Sequence, residues 1–114
     1  MKTLHDLPLP APLRAAIQAV RNRLTAECSV ERLILFGSVV RGEPDAESDA
    51  DLLIVLTEPP TAQVRDRITS LILDMNLAYD TNLSELIVDQ QTWDTGRPAA
   101  MPIRAEIEET GIRL

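Results

Sequence analysis

The sequence predicts an α+β domain, a small mixed β-sheet flanked by helices, on three observations. Two short and nearly continuous apolar runs, Leu33-Ile34-Leu35-Phe36 and Leu52-Leu53-Ile54-Val55-Leu56, read as strands buried on both faces. Apolar residues spaced three and four apart precede the first run and follow the second, which is the stripe of a helix covering a core. Only about fourteen residues, 37–50, join the first strand, ending at Phe36, to the second, starting at Asp51. A parallel crossover needs a dozen or more residues with a full helix, so antiparallel or mixed pairing is open.

The elements follow in order. Residues 7–12 carry three prolines and cannot be helix interior, although Pro12 suits the first turn of a following helix. Leu13, Ala16, Ile17, Val20 and Leu24 then mark a helix ending near Glu27 or Cys28. Glu31 to Phe36 is the first strand, stopped by Gly37-Ser38, and Ser38 to Arg41 is one short helical turn. Gly42 to Ser48, polar and containing Pro44, is a surface loop. Asp51 to Thr57 is the second strand, ended by Glu58-Pro59-Pro60. Thr61 caps a third helix whose apolar face is Val64, Ile68, Leu71, Ile72, Met75 and Ala78, running to about Tyr79. Leu83 to Val88 reads as a third strand. Residues 89–98 form a loop with a helical turn around Trp93, and Ile103 to Thr110 is a short acidic helix with Gly111 at its C-cap. Residues 112–114 either return to the sheet or end the chain.

The 114 residues fit a single domain, 1–114, with one core built from Leu, Ile, Val and Ala, because only 3% are aromatic. The net charge is −7, with 18 acidic against 11 basic residues. Nucleic-acid binding relies on phosphate neutralisation by Lys and Arg, so direct binding of DNA or RNA is not expected. Cys28 is the sole cysteine, which excludes an intrachain disulfide and a cysteine zinc cluster. The N-terminus lacks the apolar stretch of a signal peptide, and no run has the roughly 18 apolar residues of a membrane span. A cytoplasmic protein without membrane contact is the expectation.

The chemistry concentrates at the ends of the first two strands. Asp49 and Asp51, two apart, project to one face of a strand. Two like charges so placed repel unless a cation lies between them or one is protonated. Mg²⁺ takes oxygen ligands and keeps waters and substrate phosphates in its remaining positions, so the pair plus a triphosphate is a sensible Mg²⁺ site. Gly37 lets backbone approach a phosphate without a side chain in the way. Ser38 offers a hydroxyl and an N–H, and Arg41, one turn on, reaches the same anion as a charged donor. A lone Gly-Ser is ordinarily a turn and a lone Asp-x-Asp ordinarily a solvated one. Their order along the chain is what carries information: strand, Gly-Ser, ten residues, Asp-x-Asp, strand.

Gly37-Ser38, ten residues, then Asp49-Ala50-Asp51 resembles the signature of the DNA polymerase β-like nucleotidyltransferase superfamily. The Arg41-Gly42 and Ser48-Asp49 placements resemble its minimal nucleotidyltransferase branch, small prokaryotic proteins paired with HEPN-domain toxins. The resemblance implies a polymerase β palm-like mixed sheet, with Mg²⁺ on Asp49 and Asp51 as catalytic and metal residues. It implies ATP or another NTP as nucleotidyl donor, held by Gly37 and Ser38. For antitoxin members it implies AMP transfer onto a tyrosine of a HEPN-domain toxin within a hetero-oligomer.

Two positions depart from that pattern. Active members place a third carboxylate on a neighbouring strand, and the matching residue here is Asn82, an amide that cannot act as a base. Asp80 shares strand parity with Asn82 and substitutes as the third catalytic acid if the strand starts early, whereas Glu85 points to the opposite face. Val39 stands where the family often has Arg. The alternative to catalysis is a binding module of the same fold that neutralises its partner by complex formation. Trp93 is either a partner anchor or a cap over the core.

Overall fold

A computed structural model describes residues 3–42, 49–96 and 101–114. The elements are a 3₁₀ turn at Leu4–Asp6, α1 (Ala11–Glu27), β1 (Val30–Phe36), α2 (Ser38–Arg41), β2 (Asp49–Leu56), α3 (Ala62–Tyr79), β3 (Asn82–Asp89), α4 (Gln90–Thr95), α5 (Pro102–Thr110) and β4 (Ile112–Arg113). The sheet order is β3-β2-β1-β4. β1 runs antiparallel to β2 and to β4, while β2 and β3 are parallel. The sheet is therefore mixed, one of the two arrangements that the short connection after Phe36 leaves open, and the one parallel pair is bridged by the full-length helix α3. Residues 112–113 return to the sheet, completing its β1 side.

Strand alternation sorts the apolar residues into two layers. Leu33 and Leu35 of β1, with Ala50, Leu52, Ile54 and Leu56 of β2, pack beneath α1 and α3 against Leu13, Ile17, Val20, Leu24, Ile68, Leu71 and Ile72. Ile34, Leu53 and Val55 emerge on the other face and are covered by Trp93 of α4 and Ile107 of α5. Near-continuous hydrophobicity in β2 thus reflects burial on both faces. Trp93 is 1% exposed and caps this second layer, so it is a core residue rather than a partner anchor.

Local chemistry sets the boundaries. The Thr61 hydroxyl accepts from the Val64 N–H at 3.1 Å, the expected N-cap of α3. Asp89 caps α4 in the same way through the Thr92 N–H at 3.0 Å, and the expected helical turn around Trp93 forms as this six-residue helix. Arg14 reaches back from α1 to the carbonyls of Leu4 and Leu7 and ties the proline-rich segment down. Gly111 closes α5 with an extended backbone, and a Cβ there would overlap the Ile107 carbonyl and the Ile34 side chain. On α3, Ala78 is exposed rather than part of the buried face, because the helix turns Met75 and Tyr79 inward instead. Leu73 and Leu77 stand outward, 56% and 75% exposed. The 43–48 part of the expected Gly42–Ser48 loop lies outside the described residues. Among the described residues no helix is long and apolar enough to cross a membrane.

Candidate active site

The antiparallel register sets Phe36 opposite Asp51, so the end of β1 and the start of β2 meet edge to edge. Gly37 leaves β1 at φ +90°, ψ −160°, a conformation that side chains rarely adopt. A Cβ at position 37 would collide with Asp51 Oδ2. Glycine is thus required twice, by its dihedral and by the carboxylate beside it. The Gly37 carbonyl accepts from the Val40 and Arg41 N–H groups at 3.1 and 3.3 Å, starting α2 immediately at Ser38. Val39 and Val40 are buried and pin this turn to the core. Val39 belongs to the layer beneath α1 and α3, which accounts for an apolar residue where the resembled family often carries Arg. Gly42 ends the turn in the left-handed region at φ +73°.

β2 begins at Asp49, two residues earlier than the expected start at Asp51, because β3 pairs with it from Asp49 onward while β1 joins only at Asp51. Ala50 points into the layer under the long helices. Asp49 and Asp51 therefore share the opposite face with Leu53 and Val55. In the parallel register Asp49 stands beside Asn82 and Asp51 beside Ser84. The Asn82 side-chain N–H donates to Asp49 Oδ1 at 3.1 Å. The Asp51 carboxyl is pushed above the usual carboxylate range, first by burial and then by the charge of Asp49, with the Arg41 guanidinium opposing both.

Other candidate residues lie farther from this pair. Asp80 is the C-cap of α3, in the left-handed region at φ 55°, ψ 51°, and β3 starts only at Asn82. The early strand start that would let Asp80 share the parity of Asn82 does not occur. Glu85 pairs with Leu52 and faces away from Asp49 and Asp51. Arg41 sits at the rim, its Nη1 2.5 Å from Glu106 Oε1 of α5. Among the described residues no group of three or more His, Cys, Asp and Glu side chains is arranged to hold a metal ion. Among the described residues the site offers two carboxylates, with Asp51 crowded and its carboxyl raised, and a glycine cradle beside it. That donor set fits a hard divalent cation whose remaining ligands are water and phosphate oxygens.

Two supporting residues escape a reading of the sequence. Asn76 of α3 accepts from the Leu83 N–H at 2.8 Å and from the Thr81 hydroxyl at 3.1 Å, and donates to the Leu83 carbonyl at 3.0 Å. It thereby fixes the start of β3 and, one residue away, Asn82. Its available signal is being the one amide in the mostly apolar stretch Leu71–Tyr79. Glu106, the partner of Arg41, comes 65 positions later in the chain and carries no local signal.

Comparison with known proteins bears on this geometry. Residues 13–110, from the first turn of α1 through α5, match the family described as Nucleotidyltransferase domain. A Methanocaldococcus jannaschii protein named “Putative protein adenylyltransferase” is 41% identical over 58 residues, covering 51% of this chain and 59% of that protein. The crystal structure of a “putative nucleotidyltransferase” from Sulfolobus solfataricus superposes with a TM-score of 0.47 at 20% identity, covering 75% of this chain and 79% of that one.

Proposed function

The chain belongs to the Nucleotidyltransferase domain family, and from that membership we propose that it transfers AMP from ATP to a hydroxyl of a partner protein. The observation that carries the reading is the convergence of Gly37, Asp49 and Asp51 at one end of the sheet, with Gly37 pressed against the Asp51 carboxylate. The acceptor hydroxyl oxygen bonds to the α-phosphorus while the bond to the bridging α–β oxygen breaks, releasing pyrophosphate and a proton. Asp49 and Asp51 would hold Mg²⁺, which would supply positive charge against the triphosphate. Gly37 leaves room for the phosphates, Ser38 donates to them, and Arg41 exchanges part of its pairing with Glu106 for a phosphate oxygen.

The adenylyltransferase name belongs to the archaeal relative and supports this choice of acceptor class. The Gly-Ser, Arg-Gly and Asp-x-Asp pattern, with its resemblance to minimal nucleotidyltransferases, supports a HEPN-domain toxin as the partner and an antitoxin role. Incubation with that partner, Mg²⁺ and ATP, followed by intact-mass measurement of both chains, tests the reading. A gain of one adenylyl group on the partner, lost in Asp49→Asn and Asp51→Asn, is expected. Labelling that persists in both variants overturns the metal assignment.

One observation favours a second reading. The neighbouring strand presents Asn82 and Ser84, not an acid, to the Asp pair. A protein that neutralises its partner by binding alone needs no catalytic base. In that case neutralisation survives the Asp49/Asp51 double substitution, and its loss with complex formation intact eliminates the masking reading.

A further inference from the structure

We propose that Asn82 is a positioning residue that clamps Asp49 in the absence of a cation and limits the nucleotide-free site to one divalent ion. The inference rests on the metal reading of Asp49 and Asp51 given above. A carboxylate only accepts hydrogen bonds, so the NH₂ side of the amide must face Asp49, and the 3.1 Å contact to Oδ1 is that bond. The two residues stand abreast on adjacent parallel strands, where backbones are about 4.8 Å apart. A carboxylate at position 82 would face Asp49 as a like charge and would require a proton or a cation between them. The amide gives the opposite result. It supplies a donor, adds no charge and holds one Asp49 oxygen in place before any ion arrives.

The rest of β3 reinforces this neutral wall. Ser84 is the next residue on the same face, beside Asp51. Glu85 faces the other side of the sheet, and Asp80 is turned into the cap of α3. The described part of the site therefore brings two negative charges, balanced by one divalent cation. A second cation would have to be brought with the phosphates of the nucleotide. Partners that hydrogen-bond a metal-ligating carboxylate tune affinity without touching the metal, and their removal typically weakens binding about 10–100-fold. Asn82 occupies that role toward Asp49, and Asn76 secures the strand start from which it projects.

Calorimetric titration of the metal-free full chain with Mn²⁺ alone, without nucleotide, tests the proposal. Wild type is expected to take up one Mn²⁺ per chain. Asn82→Ala is expected to keep that stoichiometry with affinity weaker by about tenfold. Asn82→Asp is expected to bind a second equivalent, or the first at least about tenfold more tightly. Circular dichroism without cation confirms that both variants are folded, and a merely structural role for Asn82 would not move affinity in opposite directions in the two. Equal affinity in wild type and Asn82→Ala, or two equivalents in wild type, overturns the role of Asn82 while leaving the metal reading standing. No Mn²⁺ uptake by wild type overturns both.

Discussion

Asp51→Asn is expected to raise, not lower, the melting temperature when divalent cations are absent. Asp49 and Asp51 lie two residues apart on one face of β2, so two strand rises separate their side-chain origins by about 7 Å. Coulomb's law gives about 0.6 kcal/mol of repulsion at that distance in bulk water and about 2.4 kcal/mol at an effective dielectric constant near 20. Asp51 is only half-buried and Asp49 is exposed, so solvent screening favours the lower figure, about 0.5–1 kcal/mol. The amide is nearly isosteric and leaves the contact with Gly37 unchanged. In a domain of about 100 residues this corresponds to roughly 2–8 °C.

The pH dependence follows from the direction of the shift. Asp51 titrates above its ordinary value of 3.8 in the folded chain, through burial and then Asp49. Between the unfolded and folded values the native state holds more protons than the unfolded chain, so wild type loses stability as pH rises through that window. The advantage of Asp51→Asn should therefore be small in acid and fully developed at neutral pH. Added Mg²⁺ stabilises wild type by mass action and the variant far less, so the order narrows or reverses. Melts followed by far-UV circular dichroism, in chelator and in Mg²⁺, measure all three effects. A variant that melts below wild type in chelator at neutral pH, or a gap that ignores pH, refutes the reasoning.

Three further outcomes are expected. Asn76→Ala removes both hydrogen bonds to the Leu83 backbone and should destabilise the fold by about 2–6 kcal/mol, since each of the two buried backbone groups left unpaired costs about 1–3 kcal/mol; hydrogen exchange at the Leu83 amide should accelerate, and unchanged protection there would contradict the bridge. Gly37→Ala must adopt φ +90° and displace Asp51, costing about 1–3 kcal/mol and abolishing binding of a fluorescent ATP analogue; an unchanged melt with intact binding would contradict the cradle. The Arg41–Glu106 pair is 41% and 49% exposed, so Arg41→Ala and Glu106→Gln should each change stability by less than about 1 kcal/mol. Arg41→Ala should nevertheless weaken ATP binding about tenfold or more, as loss of a charge-assisted hydrogen bond does, whereas Glu106→Gln should leave it unchanged or improved. Equal losses in the two variants would argue against a phosphate role for Arg41.

The fold was legible where one periodicity dominated. The three-and-four spacing from Leu13 to Leu24 and the apolar face of α3 identified the helices that cover one side of the sheet, and the solid runs of β1 and β2 required burial on both sides. The second layer was harder to see. α4 depends on the Asp89 cap and on a single buried Trp93 within a polar segment, so the sequence shows it only as a helical turn around Trp93 within a loop. Ala78 looked like a core position because it fits the helical stripe, but a small side chain carries little drive to turn inward when Met75 and Tyr79 are available. β4 has two residues, and only its pairing with Ile34 and Leu35 distinguishes it from a chain end.

The site was legible in its glycine and aspartates because sequence order alone places them at consecutive strand ends. Its third wall was legible in part. Position relative to the apolar run matches Asn82 to the third-carboxylate place, and the parallel register sets Asn82 beside Asp49. The part of Asp80 stays open until the start of β3 is known. Whether Asp80 joins the strand turns on where β3 begins, and that start is secured by the Asn76 side chain gripping the Leu83 backbone together with burial of the Leu83 side chain in the core. Once Leu83 is fixed, Asp80 is left to close the helix in a left-handed turn and Asn82 is delivered to Asp49. The same side chain of α3 thus supports the strand start from which an amide, not an acid, reaches Asp49. A substitution at position 76 that lets β3 slip should therefore alter Mn²⁺ affinity even though Asn76 touches neither aspartate. Affinity that stays at the wild-type value in a folded Asn76→Ala chain would show that Asn82 finds Asp49 without that support.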